Sequence, residues 1–134
     1  MKTLLNKDIK EEIHALIEIA EENLSASKIL FENELYRDAV ARAYYAIFHS
    51  AKALLLTKNL NPKKHAGVIK MFGLHFVNEG HIEEMYGRII TKGYNLRWKA
   101  DYTTDKPTEE ESESIIYEAE LFVERIKKAL KEIL

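Results

Sequence analysis

Apolar residues recur at three- and four-residue steps through almost the whole chain, a period that predicts helices. From about Leu4 to Glu32 the stripe is Ile9, Ile13, Leu16, Ala20, Leu24, Ser27 and Phe31. Glu11, Glu12, Glu18, Glu21 and Glu22 take the opposite side, so the first helix is amphipathic with a solvated acidic face. Asn33-Glu34-Leu35 then leaves so short a link that the first two helices must form an antiparallel hairpin. The second segment, Tyr36 to Thr57, holds six alanines and neither Gly nor Pro, and is apolar around most of its circumference. Such a helix is buried, and the other segments read as elements wrapped around it.

Further on, Asn61 is placed to cap a third helix with Pro62 at its first position. Its stripe is His65, Ile69, Phe72 and Phe76, and Asn78-Glu79-Gly80 stops it with Gly80 as a left-handed cap. A fourth helix is expected from about His81 to Lys99, with Ile82, Met85, Ile89, Gly93 and Leu96 inward. Gly87 and Gly93 either weaken it or admit a neighbouring backbone. The stretch ADYTTDKP reads as the one loop of any length, and Thr108 with Glu111 forms a capping box for the last helix. There Ile115, Ala119, Phe122, Ile126, Ala129 and Ile133 keep the helical period. No segment alternates as a strand. The expected fold is all-α: an antiparallel up-and-down four-helix bundle with an additional short helix.

A chain of 134 residues fits one domain spanning 1–134. A net charge of -2 argues against binding nucleic acid by bulk charge, so any such contact must be local. The absence of cysteine excludes a disulfide framework, a thiolate metal site and a cysteine nucleophile. The opening MKTLLNKDIKEEI lacks the apolar core of a signal peptide, and no apolar run approaches the ~20 residues of a membrane span. A cytoplasmic protein is expected.

One stripe breaks the apolar pattern of the second helix: Asp38, Arg42, Tyr45 and His49 follow at steps of four, three and four and share a face. Arg42 can grip a phosphate through two parallel hydrogen bonds, and His49 can move a proton near neutral pH. Because ribose carries its own 2′-hydroxyl nucleophile, such a pair can cleave RNA without a metal. The competing reading pairs Arg42 with Asp38 and makes His49 a satisfied, partly buried histidine. Arg97, Asp101 and Tyr102 form a second set, readable either as a capping ion pair or as a second cationic arm toward the Arg42 cleft. Tyr44 and Phe48 read as core, whereas Tyr45 lies in the polar stripe. His14, His65, His75 and His81 raise a metal site, but a di-metal bundle centre uses two Glu-x-x-His pairs and only Glu11 with His14 fits; no metal or cofactor is expected.

Taken together, Ala39 to Leu55 (AVARAYYAIFHSAKALL), His65-Ala66-Gly67-Val68 and Arg97 to Tyr102 (RWKADY) resemble the HEPN family, over about Leu24 to Leu130. That resemblance implies a dimeric four-helix bundle with paired sites facing across the dimer, and a small nucleotidyltransferase as partner in toxin–antitoxin modules. Active members are metal-independent endoribonucleases with an Arg, four to six residues, then a His, a pattern that Arg42 and His49 match at its longest spacing. The resemblance thus casts Arg42 and His49 as catalytic, with RNA or a nucleotide bound beside Asp38, Tyr45, Arg97, Asp101 and Tyr102. Active members usually carry a polar residue after the Arg, where this chain has Ala43. Silent binding members also exist, which gives the alternative of a non-catalytic dimeric adaptor for a nucleotidyltransferase.

Overall fold

Asn6 starts the first helix, its side-chain oxygen accepting the Ile9 N–H at 2.8 Å. In the computed structural model, which describes residues 5–134, this helix α1 runs Lys7–Glu32. The expected start at Leu4 lies outside the described residues. The link to α2 (Tyr36–Leu56) is as short as expected, and it turns through Glu34 in the left-handed region at φ 60°. Helix α2 packs on every other helix. Its buried residues include Ala39, Ala43, Ala46, Ala51 and Ala53, whose small side chains let neighbouring helix axes approach closely. One buried polar bond joins α1 to α2: Ser27 Oγ donates to the Ala39 carbonyl at 2.6 Å.

The third helix departs from expectation at its start. Helix α3 is His65–Phe72, capped from Lys64 without a side-chain bond, so Asn61 and Pro62 lie in the lead-in and not in the first turn. The reason is packing: Pro62 rests on Gly67, where an added Cβ would stand 3.0 Å from the proline Cβ. After Phe72 the backbone widens into a π-turn, Gly73–Val77, with Asn78 N–H donating to Gly73 O at 2.8 Å. This wider turn keeps both Phe72 and Phe76 in the core. Gly80 has φ 81°, the left-handed stop that its type implied.

Both His81 and Ile82 then donate their N–H groups to Phe76 O, and this delays the next helix. Helix α4 is Glu84–Tyr102, shifted three residues at each end from the expected His81–Lys99. Ile82 is buried ahead of it, Ile89 and Gly93 are buried within it, and Met85 is exposed rather than inward. Gly93 is a point of close approach: a Cβ there would lie 3.3 Å from both Ile47 Cδ1 and Tyr44 Cδ1. The connection is therefore shorter than ADYTTDKP suggested, because its first three residues are helical.

The capping box is present: Glu111 N–H donates to Thr108 Oγ1 at 3.0 Å and Thr108 N–H donates to Glu111 Oε1 at 2.9 Å. Helix α5 follows as Glu109–Ile133, burying Ile115, Ala119, Phe122, Ile126 and Ala129. The described residues are all-α, a helical bundle of four long helices and one short one. None of these helices is long and apolar enough to cross a membrane.

Candidate functional site

Helix α2 supplies the floor of the site. Tyr45 and His49 are half-buried on it, one turn apart, and the His49 Nδ1 lies 2.8 Å from the Tyr45 carbonyl oxygen. A carbonyl can only accept, so Nδ1 carries a proton, and in the neutral ring Nε2 keeps its lone pair. His49 is thus held in the tautomer that can take a proton from a neighbouring hydroxyl. That bond satisfies one nitrogen, as the structural reading of His49 anticipated, and leaves the other available.

Arg97 reaches the same place from α4. Its Nη2 donates to the Tyr45 hydroxyl at 3.0 Å, and its guanidinium lies 5.4 Å from the centre of the Tyr45 ring and 5.9 Å from that of Tyr102. Asp101, one turn on, has Oδ2 2.8 Å from Arg97 Nε. The N–H is not aimed at that oxygen, so the contact is a charge pairing and not a formed hydrogen bond. Arg97 therefore pairs with Asp101 and also reaches Tyr45 of the α2 stripe. Trp98 and Tyr102, with rings 5.5 Å apart, stand exposed beside it.

Arg42 is exposed on α2, but its Nη1 donates to Asn23 Oδ1 of α1 at 3.2 Å. No ion pair joins Arg42 to Asp38 among the described residues, contrary to the competing reading of that pair. Asp38 instead lines a surface hollow with Glu34, Arg37 and Lys106. The structure thus brings together Tyr45, His49, Arg97, Asp101 and Tyr102, and leaves Arg42 at the α1 edge and Asp38 outside. No cluster of three or more His, Asp or Glu side chains suited to a metal occurs among the described residues.

Two residues of this region were not among the sequence candidates for this site. Arg37 Nη1 donates to the carbonyls of Ala100 and Thr103 at 3.0 and 3.1 Å, and its Nη2 donates to Thr104 O at 2.6 Å. It closes the C-terminal end of α4, one turn beyond Arg97, where unpaired carbonyls and the negative end of the helix dipole favour a cation. His65, the first residue of α3, lies in the aromatic group beside Arg97, with Nδ1 2.8 Å from the Tyr44 hydroxyl. Burial, and then the charges of Arg97, His49 and Lys52, hold its imidazole below the ordinary pKa. Burial likewise raises the Tyr44 phenol, only partly opposed by Arg97.

A family model described as HEPN domain matches residues 13–130. The chain is 91% identical over 134 residues to a Methanocaldococcus jannaschii protein named "Putative toxin MJ0605", covering 100% of both. It is 43% identical over 122 residues to "Putative toxin MJ0142" of the same organism, covering 90% of this chain and 83% of that one. A Thermotoga maritima protein named "UPF0332 protein" is 36% identical over 115 residues, covering 85% of this chain and 87% of its own.

Proposed function

This chain belongs to the HEPN domain family, and from that premise we propose that it is the toxin of a toxin–antitoxin pair, a dimeric metal-independent endoribonuclease whose site is the surface around Tyr45, His49 and Arg97. One observation carries the reading: Arg97, from a distant helix, lays its guanidinium on Tyr45, between Arg42 and His49 in the α2 stripe. Two cations and one imidazole with a free lone pair border the same face, the set of groups that binding and cleaving a phosphodiester needs. The names of two relatives support the toxin role, and the family resemblance supports a nucleotidyltransferase partner and a second copy of the chain.

In the proposed reaction His49 Nε2 takes the proton of a ribose 2′-hydroxyl, and the 2′-oxygen attacks the adjacent phosphorus. A new P–O bond forms as the bond to the 5′-oxygen breaks, and the imidazolium returns its proton to the leaving 5′-oxygen. Arg97 neutralises the phosphate from one side, and Arg42 does so from the other after leaving Asn23. Asp101 holds Arg97, while Tyr45 and Tyr102 supply ring surface to the nucleotide. Asp38, set apart from this group, contributes only to the wider binding face.

Incubation of the protein with mixed RNA in EDTA tests this, beside Arg42→Ala and His49→Ala. Cleavage by the wild type, abolished in both variants at unchanged helical content, is the expected result. Equal cleavage by the variants would end the catalytic assignment. No cleavage by any of the three would move the assignment to the second reading, a non-catalytic adaptor for the nucleotidyltransferase. That reading draws on Ala43, which is fully buried and gives no polar group beside Arg42.

A further inference from the structure

His65 packs against rings from α2 and α4. Its ring centre is 4.4 Å from that of Phe48, 5.6 Å from Tyr44 and 6.2 Å from Tyr94. Phe48 also carries His49, edge-on at 5.4 Å, so the two imidazoles share one wall and their centres lie within about 10 Å of each other.

The partners of the two rings fix opposite tautomers. The buried Tyr44 hydroxyl has no bonding partner except His65 among the described residues, so its proton is satisfied only by donation to that ring. The Tyr44 O–H therefore donates to Nδ1, and the His65 proton resides on Nε2. In His49 the Tyr45 carbonyl places the proton on Nδ1 and leaves Nε2 an acceptor. One ring is built to receive a proton and the other to offer a hydrogen bond.

We propose that His65 is a second functional imidazole of the site, donating its Nε2–H to a non-bridging oxygen of the RNA phosphodiester whose ribose hydroxyl His49 deprotonates. This rests on the ribonuclease reading above and adds to it the group that receives the charge. As the 2′-oxygen attacks, negative charge grows on the non-bridging oxygens, and a donor fixed in advance stabilises it more than the ground state. His65 keeps its own proton throughout, so the proton balance remains that of His49 alone. A neutral donor suits this place, because burial and then the positive charges of Arg97 and Lys52 resist its protonation. Tyr44 is a positioning residue that acts through the His65 tautomer.

The test combines imidazole nitrogen NMR of the full chain with cleavage assays in EDTA. The NMR probe is a 2′-O-methyl oligonucleotide, which offers the phosphodiester without a nucleophile. The expected spectrum shows His65 protonated at Nε2, with that resonance moving as the oligonucleotide is added. His65→Ala should lower kcat by about 100-fold with KM within about threefold, the size of effect seen when one oxyanion donor is removed. His65→Gln, which restores an N–H donor, should recover part of the loss. Tyr44→Phe should lower kcat and show the His65 proton redistributed between its nitrogens.

A proton fixed on Nδ1 of His65, or a His65 resonance unmoved by the oligonucleotide, would overturn the proposal. So would a His65→Ala variant that cleaves within about threefold of a cleaving wild type; in that case the ribonuclease reading survives alone. If the wild type does not cleave but the His65 Nε2 resonance moves, the phosphate contact stands and the cleavage reading falls.

Discussion

Replacing Arg37 with Met would keep the aliphatic length of the side chain and remove its three hydrogen bonds to the end of α4. The Ala100 carbonyl matters most, because Ala100 is buried and its carbonyl would lose this partner. An unpaired buried acceptor costs about 1–3 kcal/mol. The Thr103 and Thr104 carbonyls lie in a turn that water reaches and add little. Loss of a cation at the helix C-terminus adds about 0.3–1 kcal/mol. The expected destabilisation is about 2–3 kcal/mol. Urea unfolding should show it as a lower midpoint at unchanged slope. Arg42→Met is the control: it removes a single part-buried bond, and the long 3.2 Å contact of an otherwise exposed guanidinium to Asn23 is worth about 1 kcal/mol. A cost below about 0.5 kcal/mol for Arg37→Met, or an equal cost for both arginines, would refute the assignment of Arg37 as the clamp of α4.

Thr108→Ala should remove the capping box of α5 and lower stability by about 1 kcal/mol, read from thermal unfolding. Glu34→Gly should raise the melting temperature through a gain of up to about 1 kcal/mol, since Glu34 occupies a left-handed conformation that glycine adopts freely; a fall would show that the turn is held by the side chain. His65 makes stability depend on pH. Its folded pKa is depressed by burial and by Arg97, His49 and Lys52, with Tyr44, Tyr45 and Tyr94 also facing it, so below the ordinary value of 6.5 the unfolded chain binds the extra proton. The contribution is fully present above that value and is lost as pH falls through the folded pKa. His65→Asn should therefore lose less stability than the wild type between pH 7.5 and 5.5, and an unchanged difference would exclude His65 as the source.

Helix number and identity were readable because each apolar stripe is a local signal. Ile115, Phe122 and Ile126 declare one buried face within α5, and Thr108 with Glu111 declares its start. The errors fall where a contact from another segment decides. Pro62 carries an ordinary start signal, but it packs on Gly67 ahead of the helix; α4 begins late because Phe76 O holds the two preceding residues and ends late because Arg37 supports its last turn. The α2 stripe was visible as spacing, and Arg97 was visible as a candidate second arm. Arg37 was not, because its partners are backbone carbonyls, which every residue possesses. His65 was read only as part of the α3 stripe and as a metal candidate, because nothing in its own helix marks the Tyr44 hydroxyl that fixes its tautomer.

During synthesis, the hairpin of α1 and α2 is complete before any residue of α4 exists, and its contacts are close enough in sequence to form early. Arg37, Tyr45 and His49 are then in place, while Arg97 and the carbonyls of Ala100, Thr103 and Thr104 have yet to be made. The surface around Tyr45 is finished only when the end of α4 comes back to Arg37. A nascent or prematurely terminated chain therefore carries the imidazole of His49 without the guanidinium that completes its surroundings.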